Sequence, residues 1–304
     1  MQRSLAGRRL VITGAARGIG EKVARLAAAR GARVALIGLE PDKLRALAAD
    51  LGPTACWREA DVRDGTALRS AIDDCAEIMG GVDFLVANAG VAAYGTVRQM
   101  DEASFDRVLD INLNGVFRTL KHTTPHLERT RGHVLVIASA LSFMPLAGLA
   151  SYGASKAGVE MLTLAYRQEV AHLGITVGVV HPSWIDTDLV RGAEADLPSF
   201  QGMREKLPYP GNVTTSVDEA AAAIVEGLAR RRARVYVPRA VSVANWAKGA
   251  VNSPLTWRWA RRFAAQLVPT LEREVEALGR HDQLTPGADK KPSATTPVAI
   301  RRQT

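Results

Sequence analysis

The sequence predicts an α/β fold, a doubly wound parallel sheet of the Rossmann type that leads into a C-terminal helical extension. Three features predict it. Short apolar runs alternate with longer stretches of helical period, the runs are nearly continuous in apolarity, and a glycine-rich turn joins the first run to the first helix. Continuous apolarity is what strands covered on both faces require.

The predicted strands are Leu10-Val11-Ile12, Val34 to Ile37, a third strand ending at Asp61-Val62, Phe84-Leu85-Val86, Val134 to Ile137 and Ile175 to Val180. Helical periods fill roughly 18–30, 42–50, 65–79, 101–129 and 153–172. A last strand, Arg234 to Val237, follows a helix that Ser216 or Asp218 is placed to cap. These elements make a dinucleotide-binding and catalytic domain over 5–238. From about Arg239 the βα rhythm stops, leaving a basic helical extension over 239–281. The polar, proline-rich end over 282–304 reads as a disordered tail.

The chain is 47% hydrophobic and 23% charged, which suits an ordinary globular protein with material for a core. Its formal charge of +8 is uneven: residues 230–304 hold 15 Lys/Arg against 5 Asp/Glu. Basicity therefore belongs to the C-terminal quarter, and a uniform nucleic-acid-binding surface is not expected. Neither the start of the chain nor any apolar stretch reads as a signal peptide or a bilayer span. Cys56 and Cys75 fit no disulfide framework, and none of the six histidines stands at a metal-ligand spacing. No metal site is expected, and a cytoplasmic location is.

The turn Thr13-Gly14-Ala15-Ala16-Arg17-Gly18-Ile19-Gly20 follows a strand and opens a helix. Gly14 permits a tight turn, Gly18 lets the backbone approach a pyrophosphate, and Gly20 lets helix and strand pack closely, with helix N–H groups left to meet phosphates. Further candidates lie at carboxyl ends of strands, where open α/β sheets bind ligands. They are Asp61-Val62, whose carboxylate suits an adenine amino group, and Asn88-Ala89-Gly90.

Tyr152-Gly-Ala-Ser-Lys156 begins a helix, which puts the phenol and the ammonium one turn apart on one face. A phenol is a poor base at neutral pH, and a nearby cation is expected to lower its pKa. Ser139, ending the preceding strand, is placed to hydrogen-bond a substrate oxygen.

The ordered set Thr-Gly-Ala-Ala-Arg-Gly-Ile-Gly, Asp-Val, Asn-Ala-Gly, Ile-Asn112-Leu-Asn-Gly, Ser139 and Tyr-Gly-Ala-Ser-Lys closely resembles the short-chain dehydrogenase/reductase family over roughly residues 5–238. The resemblance implies hydride transfer between NAD(P)(H) and an alcohol or ketone, with Tyr152 as general acid/base. Lys156 would hold the nicotinamide ribose, Ser139 would polarise the substrate, and Asn112 would hold a water in a proton relay. It also implies that Pro182 matches a conserved family position and that Ile185 and Thr187 contact the nicotinamide carboxamide. Ser183 replaces the family's usual glycine, which puts the shape of that loop in question. A homo-oligomer built on the 101–129 and 153–172 helices is implied as well, with Val159, Leu162 and Ala165 expected on the outward face.

Cofactor choice carries mixed signals. Gly38 stands at the usual acidic position and Leu39 where NADP enzymes often have arginine, while Arg17 suits a phosphate and Glu40 repels one. The balance leans slightly to NADP. The expected substrate wall (Val91, Tyr94, Leu141, Phe143, Met144, Leu146, Leu149, with a lid of Leu189, Leu197, Phe200 and Met203) is mainly apolar and favours a hydrophobic secondary alcohol or ketone. The alternatives are a hydrolase, which Gly153 to Gly158 fits poorly because its spacing is wrong for a nucleophile elbow, and a dinucleotide-binding scaffold without catalysis.

Residues 257–268 form a basic amphipathic pattern. Arg258, Arg261 and Arg262 fall on one side and Trp257, Trp259, Ala260, Phe263, Ala264, Leu267 and Val268 on the other, with Pro269 expected to end the run. Such a face either docks on its own domain or contacts an anionic membrane surface.

Overall fold

Alternate residues of each central strand enter opposite cores. Leu10, Ile12, Val34 and Leu36 pack into one apolar cluster, and Val11, Ala35 and Ile37 into the other. This is why the strand sequences are apolar without alternation. The structure, a computed structural model, describes residues 4–251 and 253–281. The tail expected to be disordered lies outside them.

The chain runs β1 (Arg9–Thr13), α1 (Gly18–Ala29), β2 (Arg33–Gly38), α2 (Pro41–Leu51), β3 (Ala55–Glu59), α3 (Gly65–Met79) and β4 (Phe84–Ala87). It continues with α4 (Glu102–Leu109), α5 (Gly115–Thr130), β5 (His133–Ile137), α6 (Ala150–Glu169) and β6 (Thr176–Pro182). Next come β7 (Trp184–Ile185), α7 (Asp188–Asp196), α8 (Pro198–Glu205), β8 (Thr214–Thr215), α9 (Val217–Ala229) and β9 (Arg234–Val237). The extension forms α10 (Val241–Trp246), α11 (Lys248–Val251) and α12 (Pro254–Leu278).

The main sheet has seven parallel strands in the order β3-β2-β1-β4-β5-β6-β9. The strand order reverses between β1 and β4, and the crevice beyond their carboxyl ends is where such sheets bind ligands. Ser216 caps α9 through a reciprocal pair with Glu219, so it is the cap and Asp218 is not.

Three expectations are corrected. The 101–129 helix is interrupted by a π-helical turn, Asp110–Asn114. Gly115 follows it because a Cβ there would stand 2.6 Å from Val62 Cγ2. The π turn carries Asn112 into the interior, where it is fully buried. Val159 does not face outward: it is fully buried in the core, whereas Ala165 is exposed and Leu162 half-buried, and the large exposed apolar residues of α5 and α6 are Phe117 and Met161. Pro269 does not end its helix, because α12 runs through it to Leu278. A proline inside a helix costs about 3 kcal/mol. Burial of Leu271 and Val275, about 1.5–3 kcal/mol each, offsets that cost.

Candidate active site

The glycine turn between β1 and α1 is shaped by contacts that tolerate no side chain. Gly14 (φ +65°) and Gly18 (φ +58°) occupy the left-handed region. A Cβ on Gly14 would lie 2.8 Å from Ala89 Cα, and one on Gly20 would collide with the Gly14 carbonyl. Asn88 staples this turn, its Nδ2 donating to the carbonyls of Thr13 (3.1 Å) and Gly14 (3.0 Å). No side chain caps α1, so its first N–H groups are left for an anion. These features fit a dinucleotide pyrophosphate.

The turn opens into one cavity of about 1550 Å³ at the carboxyl ends of the central strands. Gly14, Arg17, Gly18, Ile19, Asp61, Val62, Asn88, Ala89, Gly90, Ser139, Tyr152, Lys156, Pro182, Ile185 and Thr187 all line it. Gly20 and Asn112 stand behind the wall and support it. Both Asp61 oxygens are held by Arg63, at 2.9 Å from its backbone N and 2.8 Å from its Nε.

Around the Rossmann crevice the polar groups converge. Lys156 Nζ donates to the Ile137 carbonyl (2.9 Å) and stands 5.6 Å from the centre of the Tyr152 ring. Ser139 hydrogen-bonds the Tyr152 side chain. Asn112 donates through Nδ2 to the Val91 carbonyl (2.9 Å) and to Ser155 Oγ (2.9 Å), and its Oδ1 accepts from Val91 N (2.8 Å).

Burial pushes the Lys156 ammonium down to about 8. Burial also pushes the Tyr152 phenol up to about 12, with the Ser139 hydrogen bond acting in the opposite direction. The expected lowering of the Tyr152 pKa by Lys156 is not found in the protein alone: desolvation outweighs the opposing hydrogen bond from Ser139.

The Pro182-Ser183-Trp184 segment adopts a backbone that does not require glycine. Among the described residues no left-handed φ falls there, and Ser183 N donates to Val237 O at 2.8 Å. Trp184 donates from Nε1 to the Gly211 carbonyl (2.6 Å) and stacks edge-on against Phe200.

The apolar half of the cavity contains the expected Val91, Tyr94, Leu141, Phe143, Met144, Leu146, Leu149, Leu189 and Phe200. Leu197 and Met203 are not in the wall; they are buried beneath it in the core of the lid. Sequence reasoning missed Trp184, Leu207 and one face of α12 (Trp257, Trp259, Ala260, Phe263, Ala264), all of which line the cavity. The amphipathic period of α12 marked that face as apolar without indicating what it covers.

The short chain dehydrogenase family matches residues 8–198. The chain is 35% identical to cis-4-hydroxycyclohexanecarboxylate dehydrogenase of Sinomonas cyclohexanicum over 224 residues, 71% of this chain and 90% of that protein. Among solved structures it is similar to 3-ketoacyl-(acyl-carrier-protein) reductase from Brucella melitensis complexed with NADH, with TM-score 0.70 and 25% identity over 77% of this chain and 98% of that one. It is also similar to an alcohol dehydrogenase from the archaeon Thermococcus sibiricus complexed with 5-hydroxy-NADP, with TM-score 0.64 and 28% identity over 75% of this chain and 94% of that one. With the glycine cradle and the Tyr152–Lys156 pair at one crevice, the chain belongs to the short-chain dehydrogenase family and is an NAD(P)-dependent oxidoreductase.

Proposed function

We propose that the protein interconverts a hydrophobic secondary alcohol and its ketone, with NADP(H) slightly favoured over NAD(H). The observation that carries this is the meeting of the glycine cradle, the Ser139–Tyr152–Lys156 cluster and an apolar chamber in one cavity. Bound NAD(P)(H) supplies the hydride donor or acceptor.

Ser139 and the Tyr152 hydroxyl bind the substrate oxygen and orient it. Tyr152, protonated at neutral pH, gives its proton to the oxygen during reduction and is left as phenolate; in the oxidation direction that phenolate form takes the proton from the alcohol. Lys156 holds the ribose and places a positive charge beside the ring. Both Asn112 amide hydrogens are engaged by Val91 and Ser155, so its side chain has no hydrogen left to donate to a relay water. Thr187 and Ile185 face the nicotinamide end of the cavity, and Asp61 faces the adenine end. For cofactor preference, Arg17 and Lys43 both stand beside Glu40 at the ribose end, and Gly38 carries no carboxylate.

The same reading includes a homo-oligomer, a cytoplasmic location and a peripheral membrane contact through 257–268. Among the described residues no helix is long and apolar enough to cross a membrane. The deciding experiment follows NAD(P)H absorbance with a panel of lipophilic alcohols and ketones. Wild type turns over at least one of them, and Tyr152→Phe loses at least a hundredfold in rate while keeping its dinucleotide affinity. A Tyr152→Phe protein retaining a tenth of the rate would overturn the assignment.

A further inference from the structure

The fold shared with relatives does not account for α12. The Sinomonas relative is about 250 residues long, some fifty fewer than this chain, and the family match ends at residue 198. Yet α12 is built into the substrate side of the cavity. Its C-terminal half is anchored: Leu271 and Val275 are buried against Tyr94, Leu149 and Phe200. Glu272 accepts from Thr96 Oγ1 (2.8 Å) and pairs with Arg98, and Glu274 accepts from Ser199 N (3.1 Å).

The substrate loop is shaped for this helix. Gly148 has φ +83°, and a Cβ there would collide with Leu271 Cδ2. The N-terminal half of α12 then forms cavity wall, from Phe263 out to Trp257, a rise of about 9 Å at 1.5 Å per residue. The resulting cavity of about 1550 Å³ exceeds the roughly 300–1,000 Å³ of an ordinary small-molecule pocket. Tyr152, Phe263, Trp259 and Trp257 line this one cavity, so the space beside a bound dinucleotide would be an apolar channel from Tyr152 towards the tryptophans.

We infer that α12 is a substrate-selecting wall, and that the substrate is an alcohol or ketone with a long hydrocarbon chain lying along Phe263 towards Trp257. This rests on the alcohol–ketone reading above and names its substrate class. Shorter ketones reach Tyr152 but leave the α12 face uncovered. Each added methylene buried there raises kcat/KM by about fourfold, the fold-change equivalent to ~0.8 kcal/mol.

The test uses the full-length protein with 2-alkanones of four to sixteen carbons. Wild-type kcat/KM is expected to climb with chain length to about twelve carbons. Phe263→Asp should cost the twelve-carbon ketone at least tenfold while leaving 2-butanone within about threefold. Trp257→Ala, at the half-exposed rim, should flatten only the longest members and serves if Phe263→Asp misfolds. Calorimetric titration of 2-dodecanone against 2-butanone reads the channel without turnover, with at least hundredfold tighter binding expected for the long ketone and lost in the variants. A flat chain-length series, or an equal loss at every length in Phe263→Asp, would overturn the inference. If no ketone is turned over, the alcohol–ketone reading fails; equal calorimetric affinity for the two ketones then overturns the channel as well, and a chain-length preference upholds it.

Discussion

Arg17 Nε lies 3.2 Å from Glu40 Oε2, so the two residues with opposite implications for cofactor choice form one ion pair at the end of the cavity proposed to take the ribose. Glu40 is mostly buried and also pairs with Lys43 at 2.8 Å. A 2′-phosphate must take Arg17 from Glu40, whereas two ribose hydroxyls need only the carboxylate. Arg17→Ala should therefore weaken NADP more than NAD, by ten- to a hundredfold for a lost charge-assisted contact. Glu40→Gln should tighten NADP and weaken NAD. Fluorescence titration with both reduced dinucleotides checks this, and equal changes for the two would show that neither side chain reads the 2′ position.

Lys156 and Tyr152 give stability an alkaline signature. Burial takes Lys156 from 10.5 to about 8, so between those values the unfolded chain holds a proton that the folded chain has lost, and stability rises with pH. Tyr152 acts in the opposite sense between 10 and about 12, where the unfolded phenol ionises first. Lys156→Met should abolish the rise from pH 8 to 10, seen as parallel Tm curves that diverge only in that window. Unchanged pH dependence in the variant would mean that Lys156 titrates near its ordinary value.

On the acid side, Glu160 is pulled down to about 2 although burial opposes this, because His181, Ser142 and Arg234 surround it. Its oxygens stand 3.1 Å from His181 Nε2, 2.5 Å from Ser142 Oγ and 3.5 Å from Arg234 Nη1. A depressed carboxylate contributes stability that is present above its ordinary 4.5 and lost as pH falls through 2. Glu160→Gln should cost about 1.5–3 kcal/mol at pH 7, the range for a hydrogen bond to a charged group. That cost should shrink by pH 3. Burial also takes His133 to about 4, so wild type should in addition lose stability between pH 6.5 and 4. Urea titrations at pH 7 and pH 3 read both effects.

Phe117 on α5 is 50% exposed and Met161 on α6 is 68% exposed, which leaves apolar surface on the helices where the family resemblance places the subunit contact. Light scattering at micromolar concentration should give a multiple of the 32.6 kDa chain mass. A Phe117→Arg/Met161→Arg double substitution should shift it to one chain. A wild-type monomer would remove the proposal.

The sheet was legible because both of its faces are covered, and the cradle because its glycines answer to backbone collisions that no other residue avoids. Asn112 was legible as a candidate, but its attachment to Val91 and Ser155 depends on a π turn that no periodicity announces. The path of α12 was not legible either. A proline in the middle of an amphipathic run is locally a stop, and only burial of Leu271 and Val275 beyond it, against residues as distant in sequence as Leu149 and Tyr94, reverses that. Likewise Val159 has the same composition signal whether it faces a partner or its own core.

The proposed membrane contact narrows to the rim of α12. Ala260, Phe263 and Ala264 are committed to the cavity wall, and Leu267 packs against the apolar cluster beneath the lid. Among the described residues that leaves Trp257 (63% exposed), Trp259 (50%) and, on α10, Trp246 (89%) and Val243 (65%) as the large apolar side chains facing solvent in the extension, beside exposed Arg258, Arg261 and Arg262. Tryptophan at an interface with arginine towards anionic headgroups is the composition that surface binding uses, and each cation near such a surface contributes about 1 kcal/mol. Full-length protein should float with anionic liposomes at low salt and be released by high salt. Trp246→Ala/Trp257→Ala and Arg258→Gln/Arg261→Gln/Arg262→Gln should each lower the floated fraction several-fold without changing the unfolding temperature. Protein that stays at the bottom of the gradient with anionic vesicles would show that the tryptophans serve only as the mouth of the substrate channel.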